Sequence, residues 1–198
     1  MTTTGRLIAF EGLDQSGKQT QAERLAAWLR GRGREVRQLS FPDYDTPIGA
    51  EIGRALRGER EYGADVMQLL YVANRYEFKP QILGALAAGV VIVCDRYLAS
   101  SVAYGEASGL DPAWLVAMQA HLPQPDLTVL LDIAPATAVG RKREDRDRYE
   151  RDLALQSRVR ASYHRQAAEG WVQLDGERDR DLVAADVVTA VTTRLALP

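Results

Sequence analysis

The run Gly12-Leu13-Asp14-Gln15-Ser16-Gly17-Lys18 brackets four residues between two glycines and places a lysine directly after the second. Glycines let a backbone wrap closely around an anion, because a Cβ would block several of the torsions required. The exposed N–H groups and the positive end of a following helix would then face phosphate oxygens. Lys18 would add a point charge between terminal phosphoryl groups. The chain has only three lysines among its 25 basic residues, so lysine rather than arginine here is not a compositional habit. The usual form of this loop ends in Ser or Thr, whose hydroxyl binds Mg²⁺. This chain has Gln19 there, and the hydroxyl arrives one residue later, at Thr20.

Such a loop needs a strand before it and a helix after it. Leu7 to Phe10 is an apolar run that reads as a buried strand, and Ala22, Leu25, Ala26 and Leu29 fall on one helical face. Glycine and basic residues end that helix near Gly31 or Gly33. Glu35–Leu39 reads as a second strand, followed by the loop Phe41-Pro42-Asp43-Tyr44 and a helix opening at Pro47. A long helical pattern starts at Ala64, with Val66, Leu69, Leu70 and Ala73 at helical spacing and a kink or break expected at Pro80. Val90–Cys94 is β-branched and continuous, as in a central parallel strand buried on both faces. Helices are expected from Leu98 towards Glu106 and from Asp111-Pro112. A strand should run Leu127–Asp132, a short helix should open at Pro135, and a long helix should span about Tyr149–Glu169. Trp171–Asp175 reads as a last strand, and Val183, Val187, Val191 and Leu195 line a terminal helix.

Strands alternating with helices predict an α/β fold: a doubly wound, parallel, five-stranded sheet with helices on both faces. No repeat or linker interrupts it, so residues 1–198 are expected to form one domain. Ligands of such sheets bind beyond the carboxyl ends of the strands. That rule gathers Gly12–Lys18, Phe41–Tyr44, Asp95–Tyr97 and Asp132 at one edge. Arg75, Arg96 and the Arg141–Arg151 stretch, with six basic and four acidic residues, can reach the same edge. Two polyanions held head to head require that positive charge, and arginine's planar fork can take two phosphate oxygens together. The mixed charges of 141–151 fit either a solvated face or a lid over the phosphates.

Composition narrows the alternatives. Apolar residues make up 46%, charged residues 26%, and the net charge is −2. That balance describes a water-soluble globular chain and argues against nucleic-acid binding through bulk positive charge. One cysteine, Cys94, excludes an internal disulfide and a multi-cysteine zinc site, and its apolar neighbours make it a core residue. No apolar stretch approaches a membrane span, and the first residues lack the core of a signal peptide, so a cytoplasmic location is expected.

The chain resembles thymidylate kinases. The match is carried by Phe10-Glu11-Gly12-Leu13-Asp14 with Gly17-Lys18 and Thr20-Gln21, by Phe41-Pro42 with Ile48-Gly49, and by Ala73-Asn74-Arg75-Tyr76-Glu77. Asp95-Arg96-Tyr97, Pro125-Asp126-Leu127 and Arg148-Tyr149-Glu150 extend it nearly end to end. The resemblance implies a P-loop kinase that phosphorylates dTMP with Mg²⁺ and ATP, and a homodimer through the helix near Ala64–Leu86. It implies that Gly12, Leu13, Asp14, Gln15, Ser16, Gly17, Lys18, Gln19 and Thr20 cradle ATP. Asp14 would stand between donor and acceptor, with Asp95 and Gln19 near the metal. Arg96 would hold the dTMP phosphate and the transferring group. Phe41, Pro42, Tyr71, Arg75, Ser101, Tyr104 and Tyr149 would form the acceptor pocket. Tyr71 would stack on thymine, Arg75 would bond its carbonyl edge, and Tyr104 would crowd the sugar 2′ position. Ser101 stands where many relatives carry Asn or Gln. Gln15 is neutral where some relatives carry an arginine, so the closing arginine is expected from the lid, about 141–150, with Arg141, Arg143 and Arg146 as candidates. The rival readings are a kinase for another nucleotide or a deoxynucleoside, and a non-catalytic, nucleotide-gated regulator. No guanine-reading Asn/Thr-Lys-x-Asp sequence supports the latter.

Overall fold

A computed structural model describes residues 5–141, 152–167 and 170–197. Five strands, β1 (Arg6–Glu11), β2 (Val36–Ser40), β3 (Val91–Asp95), β4 (Leu127–Asp132) and β5 (Val172–Asp175), form one parallel sheet in the order β2-β3-β1-β4-β5. Between and after them lie α1 (Lys18–Arg30), α2 (Pro47–Leu56), α3 (Ala64–Ala87), α4 (Leu98–Ala107), α5 (Pro112–Ala117), α6 (Pro135–Arg141), α7 (Leu153–Gln166) and α8 (Arg180–Leu195). Every strand anticipated from the pattern is present, displaced by a residue at most.

Successive strand residues point to opposite faces, and both faces of the central strands are covered. Ile8 and Phe10 join Leu25 and Leu29 of α1 and Val183, Val187 and Val191 of α8 in one core. Leu7 and Ala9 face the other way, into a cluster with Ile82 of α3, Ile92, Cys94 and Tyr97. A third cluster packs α4 on α7 through Ala99, Ala103, Val159 and Tyr163. Burying each large aliphatic side chain contributes roughly 2 kcal/mol before entropy is counted. Cys94 is fully buried, and burial pushes its thiol well above the ordinary range, as a core residue requires.

Capping follows the sequence closely. Thr46 Oγ1 accepts from Gly49 N at 3.0 Å, with Pro47 in the first turn of α2. Asp111 Oδ1 accepts from Ala113 N ahead of Pro112. The break that Pro80 could have made does not occur: it lies inside α3, where Phe78, Ile82, Ala85 and Leu86 around the proline pack against the β3 side of the sheet. The apolar spacing at Val66 and Leu69, which the sequence leaves open between an internal core and a partner copy, does not face the core. Those residues are 37% and 49% exposed, whereas Met67, Gln68, Val72 and Arg75 are the buried ones. The helix between Tyr149 and Glu169 is described from Leu153 to Gln166, and its expected first residues lie outside the described chain.

Parallel pairing puts all strand carboxyl ends on one edge. Phe10 is level with Asp95 and Val129, and Asp132 with Asp175. The loop after β1 and the Asp95-Arg96 turn thereby become neighbours: Arg96 N donates to Phe10 O at 2.9 Å.

Candidate active site

The loop after β1 is shaped by its two glycines. Gly12 has φ 140°, and a Cβ there would lie 2.4 Å from the Leu131 carbonyl oxygen, so only glycine lets the loop lie against β4. Gly17, at φ 93°, is the N-cap of α1 and offers no capping side chain, and the first turn carries no acidic residue. The first N–H groups of α1 therefore remain for an anion to satisfy. Lys18 is 5% exposed and its Nζ donates to Leu13 O at 2.7 Å, folded back over the loop. Burial first and Arg96 next lower its pKa to about 8, against the pull of Asp95, Asp14 and Glu11. An incoming phosphate would favour the charged form. Gln19 is exposed, and its Nε2 donates to Glu23 Oε1 at 2.9 Å along the helix; Thr20 is also exposed. Arg141 closes the far side of the loop, donating to Gln15 O at 3.0 Å and Gly176 O at 2.9 Å.

Arg96 is the hub. It adopts φ 63°, a left-handed conformation that costs a non-glycine residue of order 1 kcal/mol and turns its side chain back over the sheet edge. Nη1 donates to Gly12 O at 3.0 Å, Ser100 Oγ at 3.1 Å and the Tyr163 hydroxyl at 3.2 Å. Nη2 pairs with Asp14 Oδ1, and the Tyr104 hydroxyl donates to Asp14 Oδ2 at 2.9 Å. Burial opposes ionisation of Asp14, but Arg96, Lys18 and the Tyr104 bond outweigh it and hold the carboxyl at about 2. Arg96 itself is raised, burial being overcome by Asp14. The Tyr104 hydroxyl is raised by burial and then by Asp14, so it stays a donor.

Behind Arg96 is a buried carboxylate. Glu11 is fully buried at the end of β1, where Oε1 accepts from Tyr97 N at 2.8 Å and Oε2 from Ser100 Oγ at 2.6 Å and Tyr163 OH at 3.3 Å. Ser100 and Tyr163, which also accept from Arg96 Nη1, link it to that guanidinium. Sequence reasoning assigned no role to Glu11, Ser100 or Tyr163. Glu11 and Ser100 adjoin recognised motifs, which is a usable signal. Tyr163 has none, because only the packing of α7 on α4 brings it in.

A second pocket adjoins Arg96. It is lined by Phe41, Pro42, Tyr71, Arg75, Ser101 and Tyr104, with Asp14 and Arg96 at its mouth, so the acceptor residues named from the sequence converge wherever they are described. Arg75 is 3% exposed and its Nη1 donates to Ser101 Oγ at 2.7 Å and Tyr71 O at 3.3 Å. Asn74 fixes the loop bearing Phe41 and Pro42. It is fully buried, accepts from Asp43 N at 2.8 Å and donates to Thr46 Oγ1 and Glu77 Oε2, each at 2.9 Å. Gly49 is needed beneath it, since a Cβ would meet the Asp43 carbonyl oxygen at 1.6 Å. Leu56 and Gln68 also line the pocket and were not anticipated. Arg143, Arg146 and Tyr149 lie outside the described residues.

Two atoms bear on a metal. Asp95 Oδ1 and Ser16 Oγ are buried with no hydrogen-bond partner among the described residues, so each has capacity for a ligand or its water. No group of three or more His, Cys, Asp or Glu side chains is arranged to hold a metal among those residues. That donor set fits a Mg²⁺ held by phosphates and water more than by protein. Among the described residues no helix is long and apolar enough to cross a membrane.

The geometry pairs an anion-binding loop with an arginine-lined pocket, the parts of a kinase acting on a phosphorylated acceptor. Comparison with known proteins agrees. The family model described as thymidylate kinase matches residues 10–187. Thymidylate kinase of Plasmodium falciparum is 35% identical over 190 residues, covering 95% of this chain and 90% of that one. Thymidylate kinase of Ruegeria pomeroyi is 38% identical over 209 residues, covering 98% of each. Among solved structures, thymidylate kinase from Candida albicans superposes with a TM-score of 0.85 at 30% identity, covering 96% of this chain and 92% of that one. A fold, a site and a sequence that agree to this extent have one reading: the chain belongs to the thymidylate kinase family, the enzymes that phosphorylate dTMP, and use of ATP follows from that membership.

Proposed function

We propose that this site transfers the γ-phosphoryl group of Mg·ATP to dTMP in line, with the donor on the Gly12–Thr20 loop and the acceptor in the Phe41–Tyr104 pocket. The observation that carries the reading is the place of Arg96, between the loop and the pocket with one guanidinium edge anchored and the other on Asp14. The α1 N–H groups and Lys18 grip the ATP phosphates. Arg96 takes the dTMP phosphate, Asp14 orients that guanidinium, and Tyr104 stands against the sugar where a 2′ hydroxyl would lie. Tyr71 stacks on thymine while Arg75 donates to its carbonyl edge. An oxygen of the dTMP phosphate forms a bond to the γ-phosphorus as the bond to the β–γ bridging oxygen breaks, giving dTDP and ADP. The protein's work is placement and charge.

Magnesium, when bound, offsets the charge of the β- and γ-phosphates. Asp95 and Ser16, each with a buried oxygen lacking a partner among the described residues, would hold its water shell, with Asp14 beside it. Gln19, whose amide nitrogen donates to Glu23, would offer its carbonyl oxygen for the same purpose. Further positive charge for the transferring group is assigned to the arginine-rich segment, to Arg143 or Arg146. Replacing Arg141, Arg143 and Arg146 together by Ala should lower turnover by about a thousand-fold, in line with arginine fingers elsewhere.

We further propose a homodimer. The outward face of α3 carries Val66, Leu69 and Leu83, 37%, 49% and 49% exposed, an apolar stripe that supports pairing with a second copy. A cytoplasmic location is part of the same proposal.

The test is ADP release with ATP, Mg²⁺ and each of dTMP, dUMP, dCMP and thymidine. Preference for dTMP supports the reading. A preference for thymidine would make it a nucleoside kinase, and ATP binding without acceptor-dependent ADP release would make it a regulator.

A further inference from the structure

Gln68 lies on the same face of α3 as Tyr71 and Arg75, three and seven residues before them, and lines the pocket they share. It is 3% exposed, yet its Oε1 is buried with no hydrogen-bond partner among the described residues. Packing helps fix it: a Cβ at Gly105 of α4 would lie 2.6 Å from Leu115 Cδ2 and 3.2 Å from Gln68 Cγ, so the glycine makes room for both side chains. A buried acceptor left unpaired is costly and calls for a ligand that pairs with it.

The neighbouring groups show which ligand atom is missing a partner. A thymine edge presents two carbonyl acceptors flanking one donor, N3–H. Arg75 is a donor only, and suits a carbonyl. Ser101 Oγ already accepts from Arg75 Nη1 at 2.7 Å. Asp14 is occupied by Arg96 and Tyr104, and Ser100 by Glu11 and Arg96. Gln68 Oε1 is an uncommitted buried side-chain acceptor on this wall among the described residues.

We propose that Gln68 reads the N3–H of the acceptor base, a specificity residue that selects pyrimidines protonated at N3. This rests on the dTMP reading above. It also gives the short Ser101 side chain a reason: recognition of the base imide passes from α4 to the opposite helix, and a longer side chain at position 101 would compete with Gln68 for N3–H.

The experiment is a two-by-two cycle: wild type and Gln68→Met, each with dTMP and N3-methyl-dTMP. Methionine keeps the length and removes the acceptor. In wild type, N3-methylation should lower kcat/KM by about 10-fold or more, and Gln68→Met should raise KM for dTMP by about 10-fold with the KM for ATP unmoved. In Gln68→Met the methylation penalty should shrink to about 2-fold, because the lost bond cannot be lost twice. Equal penalties in the two proteins, or an unchanged KM for dTMP, overturns the proposal. If Gln68→Met does not fold, a wild-type crystal with dTMP decides, and an amide beyond about 4 Å from N3 overturns it. Wild type that turns over no dTMP would instead remove the reading underneath, and is seen before any variant is made.

Discussion

The hydroxyl of Tyr163 lies 3.2 Å from Nη1 of Arg96, although 67 residues separate them. The same hydroxyl is 2.9 Å from Ser100 Oγ and donates to Glu11 at 3.3 Å, so α7 is tied to the arginine and to the carboxylate behind it. Tyr163→Phe removes all three contacts while keeping the ring in the core. Leaving Glu11 short of a donor should cost about 1–2 kcal/mol in urea unfolding. We expect kcat/KM for dTMP to fall about 10-fold as well, because Nη1 of Arg96 loses an anchor. A stability loss with unchanged kcat/KM would mean that Tyr163 serves packing alone.

Arg96→Lys keeps one positive charge but gives up the forked geometry. Lysine cannot hold Gly12 O, Ser100 and Tyr163 on one edge while presenting another to Asp14 and a phosphate. Steady-state kinetics should show kcat/KM for dTMP lower by about 100-fold or more, with the melting temperature changed much less. Retention of near-normal kcat/KM would show that a point charge suffices there.

Lys18 makes ATP binding a proton-uptake reaction at alkaline pH. Its pKa is about 8 in the folded chain against an ordinary 10.5, lowered first by burial and then by Arg96. Between those values the folded lysine is largely neutral, and phosphates would recharge it. Calorimetry of ATP binding at about pH 9, in buffers of different ionisation enthalpy, should report uptake approaching one proton. Lys18→Met should abolish that component. The same shift means that wild-type stability rises relative to the variant as pH climbs from about 8 to 10.5, because the unfolded chain then binds more protons.

Asp14 predicts the opposite limb. Its carboxyl is held at about 2 against an ordinary 3.8, since Arg96, Lys18 and Tyr104 override burial. A depressed carboxylate contributes stability above its unfolded pKa and loses it as pH falls through the folded one. The stability gap between wild type and Asp14→Asn should therefore be widest above about pH 4 and close as pH approaches 2. Chemical denaturation across that range measures it, and a gap that widens on acidification would contradict the Asp14–Arg96 pairing.

The apolar stripe on α3 bears on assembly. A glutamate at Val66 and another at Leu69 would each put a charge where a dimer would be dry. Light scattering after gel filtration should show monomers for the double variant and dimers for wild type, with secondary structure intact. Monomeric wild type at micromolar concentration would dismiss the dimer.

Much of this protein was open to reading without coordinates. Gly12–Lys18 is built from consecutive residues whose torsions and donors are local properties. The continuous apolar strands declared a parallel sheet, and parallel strands necessarily end together, so Phe41 and Arg96 fall at one edge with Arg75 in reach, while Tyr104 is named only by the resemblance; all four line one pocket. What the sequence left open depended on which face of a helix meets which neighbour. On α3 the apolar spacing at Val66 and Leu69 fitted a core or a partner copy equally, but the buried side bears Met67, packed on Ile52 and Ala55 of α2, and Ile82, packed on the sheet, and the polar Gln68 and Arg75 go inward with them. Glu11, Ser100 and Tyr163 meet through the packing of α4 against α7, a contact between segments with no sequence relation. Backbone motifs are written residue by residue, whereas a buried polar network is a product of tertiary packing, and only the folded chain decides who its members are.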